Sequence, residues 1–185
     1  MWRKILIVVV WGGIALAQTG LHEHALAGLD GTHFAVARGM RVEIYNITNM
    51  DKPERTLMAP QRLEGVVSLG ASPDGRYLAA GGDFGRVAIW ALPSGNLLYE
   101  IKLHSFKVWT VAFSPDGNVL ASGAFDGTVK LFDLRTGLEA GVFVDPELRS
   151  PDTPEGKAHT GWVRCVAFSP DGKYLATSGC DGYVR

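Results

Sequence analysis

The sequence has few cysteines and no excess of charge of either sign. Cys165 and Cys180 are its two cysteines and lie outside any C-x-x-C spacing, so neither a disulfide framework nor a cysteine-based zinc site is supported. Lys and Arg number 18 against 19 Asp and Glu, and the net charge is −1. This balance provides no basic field for nucleic acid, so no nucleic-acid partner is expected.

The sequence also lacks an apolar run long enough for a membrane span, which needs about 20 residues. Its N-terminal run from Ile5 to Ala17 has 13 residues, follows Arg3 and Lys4, and ends in small residues at the −3 and −1 positions. This order predicts a secretory signal peptide over residues 1–17. We therefore expect an exported protein, periplasmic or extracellular, with no stable membrane span after cleavage; the alternative is that the run is a buried strand.

Catalytic motifs are missing as well. There is no nucleophile elbow, Walker loop, H-E-x-x-H or calcium loop. Ser72, Ser114 and Ser169 each precede a proline and lack a G-x-S-x-G context. The metal-like cluster His22-Glu23-His24 has no third ligand nearby in the sequence. The prediction is a protein that is not an enzyme, with no catalytic residues, cofactor or metal.

What the sequence does contain is a repeated turn. Ser-Pro-Asp-Gly occurs at 72–75, 114–117 and 169–172, and Leu29-Asp30-Gly31 is a degenerate earlier copy. Proline presets φ for the second turn position, aspartate hydrogen-bonds to nearby backbone, and glycine adopts the left-handed conformation. Short β-branched and aromatic segments flank each copy, which predicts an antiparallel hairpin.

Two further kinds of turn follow the hairpins. Asp126-Gly127 and Asp181-Gly182 precede a third strand, and Pro93-Ser94-Gly95 and Arg135-Thr136-Gly137 lead to a fourth. The pattern predicts an all-β protein with four short antiparallel strands in each repeat.

These repeats resemble the WD-repeat β-propellers. The resemblance rests on the segments 104–133 and 159–182, in which a histidine, the Ser-Pro-Asp-Gly turn and an Asp-Gly turn follow one another. Other propellers with this turn, such as TolB-like proteins and prolyl peptidases, lack the histidine and the D-G-T-V-K strand. The resemblance implies four-stranded blades in an incomplete ring of about three to four blades. The expected domains are a degenerate first blade over 18–61 and WD-repeat blades over 62–185, the last one truncated.

The resemblance also implies a structural hydrogen-bond set inside two blades. Each histidine lies 11 residues before its turn proline, and each aspartate lies 11 residues after it. Phe132 replaces the family's tryptophan, and the blade around Pro73 holds Arg62, Ala80 and Phe84 at the corresponding positions, so that blade should depend on packing alone. The predicted sets are His104, Ser122 and Asp126, and His159, Thr177 and Asp181.

A partner-binding surface is implied on one face of the propeller. Trp and Arg dominate interface energetics, and a loop with acidic residues between Asp145 and Glu155 should emerge on the same face; local packing of Trp162 is the alternative. We expect a protein or peptide partner, and the oligomeric state stays open. The predicted function is a non-catalytic exported interaction scaffold; the alternative is the propeller portion of a larger exported hydrolase or peptidase. The candidate partner-binding residues are Lys107, Trp109, Phe125, Trp162 and Arg164.

Overall fold

The computed structural model describes residues 26–148 and 156–185. The predicted signal peptide, the cluster His22-Glu23-His24 and positions 149–155 of the acidic loop lie outside this described part. Among the described residues, no helix is long and apolar enough to cross a membrane.

Short antiparallel strands make up nearly all of the regular structure. Over residues 26–148 and 156–185 they form three four-stranded sheets and one two-stranded sheet, and within each sheet the strands pair in chain order. The first sheet contains β1 (Leu26–Gly28), β2 (His33–Arg38), β3 (Arg41–Asn46) and β4 (Arg55–Met58). The second contains β5 (Val66–Ala71), β6 (Tyr77–Gly82), β7 (Arg86–Ala91) and β8 (Leu97–Lys102).

The third sheet contains β9 (Val108–Phe113), β10 (Val119–Ala124), β11 (Val129–Asp133) and β12 (Leu138–Phe143). The fourth contains β13 (Val163–Phe168) and β14 (Leu175–Gly179), with an additional bridge between Ser178 and Val184. Short 3-10 helices occupy Gln61–Leu63 and Pro146–Leu148. This is the architecture of propeller blades, and in the described part of the chain the sheets do not close a ring. The all-β fold class expected from the sequence is confirmed.

A serine and an aspartate shape each Ser-Pro-Asp-Gly hairpin. In the turn between β9 and β10, Ser114 Oγ donates to Asp116 Oδ1, and the backbone N–H of Val119 donates to Ser114 Oγ at 2.9 Å. The same bonds recur at Ser72 and at Ser169. The turn serines therefore have a structural use in all three hairpins.

The hydrophobic core lies between successive sheets. Because side chains alternate across a strand, Leu78 of β6 and Trp90 of β7 face the core shared with the first sheet, whereas Ala79 and Ile89 face the core shared with the third. A third core, which includes Val129 and residues of β13, joins the third and fourth sheets. Each sheet is thus held by apolar contact with its neighbours along the chain.

Candidate interaction surface

One end of the sheets gathers the loops between β6 and β7, β8 and β9, β10 and β11, and β12 and β13. The backbone N–H groups of Leu103 and His104 donate to the carbonyl of Gly85, and those of Ala158 and His159 donate to the carbonyl of Gly127. These bonds tie each loop to the loop of the preceding sheet. The Ser-Pro-Asp-Gly hairpins lie at the opposite end.

The third sheet brings its predicted hydrogen-bond set together through one additional residue. His104 is buried, with Nε2 2.8 Å from Ser122 Oγ and Nδ1 2.8 Å from Thr128 Oγ1. Thr128 Oγ1 in turn donates to Asp126, whose other oxygen accepts the backbone N–H of Ser105 at 3.0 Å. Burial raises the pKa of Asp126, but hydrogen bonds with His104 and Thr128 outweigh it and hold the pKa below its usual range.

In the fourth sheet the corresponding histidine contacts its aspartate directly. His159 Nδ1 lies 2.9 Å from Asp181 Oδ1, and Nε2 lies 2.9 Å from Thr177 Oγ1. The position equivalent to Thr128 is Tyr183, so no short hydroxyl intervenes, and Arg185 donates to Asp181 at 2.8 Å. Burial raises the pKa of Asp181, and hydrogen bonds from His159 and two backbone N–H groups lower it by more.

The second sheet brings no such set together. Of the three side chains at the corresponding positions, Ala80 is buried, and Arg62 and Phe84 are exposed. Leu63, fully buried, lies against Gly82, whereas in the fourth sheet His159 lies against the equivalent Gly179.

The first strands of the last two complete hairpins contain a β-bulge at equivalent positions. In β9 the partners of Val108 and Thr110 are Ala124 and Gly123, so Trp109 has no partner across the strand pair. In β13 the partners of Val163 and Cys165 are Gly179 and Ser178, so Arg164 likewise has no partner across the strand pair. Since β9 and β13 pack side by side and a bulge re-aims its side chain, these two side chains meet.

The five predicted partner-binding residues, here called the stack surface, form a continuous array. The Arg164 guanidinium carbon lies 4.7 Å from the Trp109 ring centroid, and Trp109 stacks on Phe125 at 5.4 Å. Phe125 stacks on Trp162 at 4.3 Å with the rings 5° from parallel. Phe125 therefore lies between two tryptophans from different sheets. Trp162 contacts Phe125, so its packing is not confined to the loop of His159.

Lys107 joins the array at its side. Its Nζ lies 5.9 Å from the Phe125 centroid and 2.8 Å from Asp83 Oδ1, which belongs to the preceding sheet. This ion pair ties the stack surface, which lies on the third and fourth sheets, to the second sheet. Sequence reasoning missed Asp83, although its place just before the turn position of Phe84 matches that of Phe125 before Asp126.

Two exposed aromatic side chains at the same end were also missed. Phe84 and Phe106 are 54% and 62% exposed, and their loops are joined by the hydrogen bonds of Leu103 and His104 to Gly85. Cys180, which precedes Asp181 as Phe125 precedes Asp126, has an exposed free thiol, and so has Cys165. In the strand pairing Cys165 lies opposite Ser178.

Comparison with known families agrees with this geometry. The model of the family "WD domain, G-beta repeat" matches residues 95–133 and 153–185. The chain contains WD40 repeats. The two matched WD40 segments include both histidine hydrogen-bond sets and all of the stack surface.

Several curated proteins are similar to the chain. Groucho of Drosophila melanogaster is 30% identical over 72% of this chain and 17% of its own length. Periodic tryptophan protein 2 of Arabidopsis thaliana is 34% identical over 91% of this chain and 17% of its length. Small ribosomal subunit protein RACK1y of Oryza sativa subsp. japonica is 29% identical over 78% of this chain and 40% of its length. The chain spans less than half the length of each of these relatives.

Proposed function

We propose that this protein is an exported, non-catalytic WD-repeat scaffold that binds a protein or peptide partner through the stack surface. The observation that carries the proposal is the stacking of Arg164, Trp109, Phe125 and Trp162 across two sheets at one end of the molecule. Stacking fixes large side chains before a partner arrives, which reduces the entropy lost on binding. Trp and Arg are also the residue types that dominate interface energetics.

A macromolecular partner suits this surface better than a small molecule. Small-molecule sites are concave and enclose most of the ligand, whereas Trp162, 47% exposed, and the exposed Phe84 and Phe106 at the same end of the sheets present their rings to solvent. The two buried histidines are engaged by hydroxyl and carboxylate groups, which supports a structural rather than a catalytic use. A WD-repeat interaction scaffold also fits the relatives, among them a protein named for the small ribosomal subunit.

The test of the surface is partner capture by matched double variants of the full chain. The double variant Trp109→Ala with Arg164→Ala should weaken capture of the native partner by more than tenfold, because it removes the two side chains that form one end of the stack. Lys173→Ala with Tyr174→Ala removes an exposed cation and an exposed aromatic ring from the opposite end of the fourth sheet, and should leave capture unchanged. Thermal unfolding of each variant controls for folding, and the exposed Trp162→Ala provides a single change on the same surface. Undiminished capture by the folded Trp109 and Arg164 variant would place the binding site elsewhere.

The proposal of export rests on the N-terminal sequence. The order of cationic flank, apolar run and small residues before Gln18 favours cleavage after Ala17. N-terminal sequencing of the mature protein should begin at Gln18. A soluble cytoplasmic product that retains Met1 would contradict export.

A further inference from the structure

Arg164 is held with its hydrogen-bond donors available. Its guanidinium carbon lies over the Trp109 ring, 4.7 Å from the centroid, and a cation–π contact leaves N–H donors free to bond other groups. No carboxylate of residues 26–148 or 156–185 forms an ion pair with it, whereas Lys107, the other cation of the stack surface, is paired with Asp83. A planar guanidinium held in this way matches the two oxygens of a carboxylate.

Trp162, at the other end of the stack, has ring surface left for an apolar side chain. Phe125 covers one face of the ring at 4.3 Å, yet 47% of Trp162 is exposed. Offset stacking with an aromatic ring contributes about 0.5–1.5 kcal/mol beyond area burial. The stack surface therefore combines an anion-binding end with an apolar end.

The distance between these ends sets the spacing of a ligand. Adjacent members of the stack are 4.7, 5.4 and 4.3 Å apart, so the guanidinium lies at most about 14 Å from the Trp162 ring, a span of about four residues of extended peptide. Residues separated by an even number of positions also project from the same side of an extended chain. A single short peptide can therefore reach both ends.

We propose that the stack surface binds an extended peptide segment that places a Glu or Asp carboxylate on Arg164 and an aromatic side chain on Trp162, four positions apart. The inference rests on the proposed function and adds the chemistry of the partner. Charge complementarity favours an acidic segment, because Arg164 is the cation of this surface without an acidic partner in the described part of the chain. A basic segment would bring like charge to Arg164.

Labelled synthetic peptides with the full chain test this proposal. A peptide containing Trp-Ala-Ala-Ala-Glu between glycines should bind at least fivefold more tightly than its Gln and Lys counterparts, measured by fluorescence anisotropy at low salt. Replacement of its Trp by Ala should weaken binding by a similar factor. A peptide with one alanine between Trp and Glu should bind more weakly, because it cannot contact Arg164 and Trp162 at the same time.

Variants of the protein show whether the preference comes from the assigned side chains. Arg164→Gln should abolish the preference for Glu over Gln. Arg164→Lys should lose most of this preference, because lysine keeps the charge but lacks the planar guanidinium that can bind both carboxylate oxygens. Lys173→Gln, which removes an exposed cation at the opposite end, should keep the preference. Trp162→Ala should weaken binding of the Trp peptide, and Tyr174→Ala should not.

The outcomes separate this inference from the proposed function. Equal binding of the Glu and Gln peptides, tighter binding of the Lys peptide, or no binding of any peptide overturns the inference. If native-partner capture still depends on Trp109 and Arg164 in those cases, the proposed function stands without it. If capture is also insensitive to those residues, both fail.

Discussion

At the scale of single residues, two histidines with the same sequence spacing have different hydrogen bonds. His104 Nδ1 bonds Thr128 at 2.8 Å and lies 3.5 Å from Asp126 Oδ1, whereas His159 Nδ1 lies 2.9 Å from Asp181 Oδ1 with no residue between them. The spacing to the turn proline predicts that each histidine meets its hydroxyl and its aspartate. It does not predict the intervening Thr128, because that depends on the rotamer of a side chain just after the turn glycine.

Removal of His104 should destabilise the chain more than removal of Arg62, which occupies the corresponding position in the second sheet. His104→Ala leaves the buried Ser122 hydroxyl without its ring partner, and a buried group left unsatisfied costs about 1–3 kcal/mol. Arg62 is exposed, so Arg62→Ala should change the free energy of unfolding by less than about 0.5 kcal/mol. Denaturant midpoints at pH 7 measure both, and equal losses would contradict the role assigned to His104.

Stability should depend on pH through Asp126. Its pKa is lower in the folded chain than its ordinary value of 3.8, so the group stabilises the fold above about pH 4 and this contribution is lost as pH falls toward the folded pKa. Asp126→Asn should therefore show a smaller decrease in the free energy of unfolding between about pH 5 and pH 2 than the parent chain does. The exposed Asp51→Asn, which keeps the His104 set intact, is the charge-matched control. A decrease in Asp126→Asn as large as that of the parent would show that Asp126 is not responsible.

At the scale of structural elements, the turns follow from the sequence and the bulges do not. Pro, Asp and Gly at fixed positions specify the hairpin before β6, β10 and β14, because each residue type has a local backbone preference. The bulges at Trp109 and Arg164 are features of the pairing of whole strands, and an equivalent bulge at Val67 interrupts β5. For this reason the sequence predicts which residues occupy the stack surface but not their stacking order.

The turn glycines provide a test of how tightly neighbouring sheets are joined. Gly85 and Gly182 have φ of 74° and 81°, and a left-handed alanine costs about 1–2 kcal/mol at either position. A Cβ at Gly85 would overlap the carbonyl oxygen of His104, whereas one at Gly182 would meet no heavy atom within 4 Å. Gly85→Ala should therefore lower the free energy of unfolding by at least about 2 kcal/mol more than Gly182→Ala. Equal losses in the free energy of unfolding for the two variants would contradict a tight contact between the Gly85 loop and the His104 loop.

At the scale of the whole molecule, the sheets are held in series by cores between neighbours, and the loops of one end carry the stack surface. The repeated turns and the histidine spacing predict the four-stranded sheets, since both are local patterns. The ion pair of Lys107 with Asp83 and the exposure of Phe84 and Phe106 come from the way successive sheets lie beside each other. No local pattern encodes those relations.

Site-specific photo-crosslinking tests the central claim most directly, namely that the end carrying the stack surface is where the partner binds. A photoreactive phenylalanine analogue placed at Trp162 should crosslink the native partner, and the same analogue at Tyr174, exposed at the opposite end of the fourth sheet, should not. The crosslink at Trp162 should disappear when Arg164→Ala is added, with thermal unfolding unchanged. Crosslinking from Tyr174 but not from Trp162 would contradict the account.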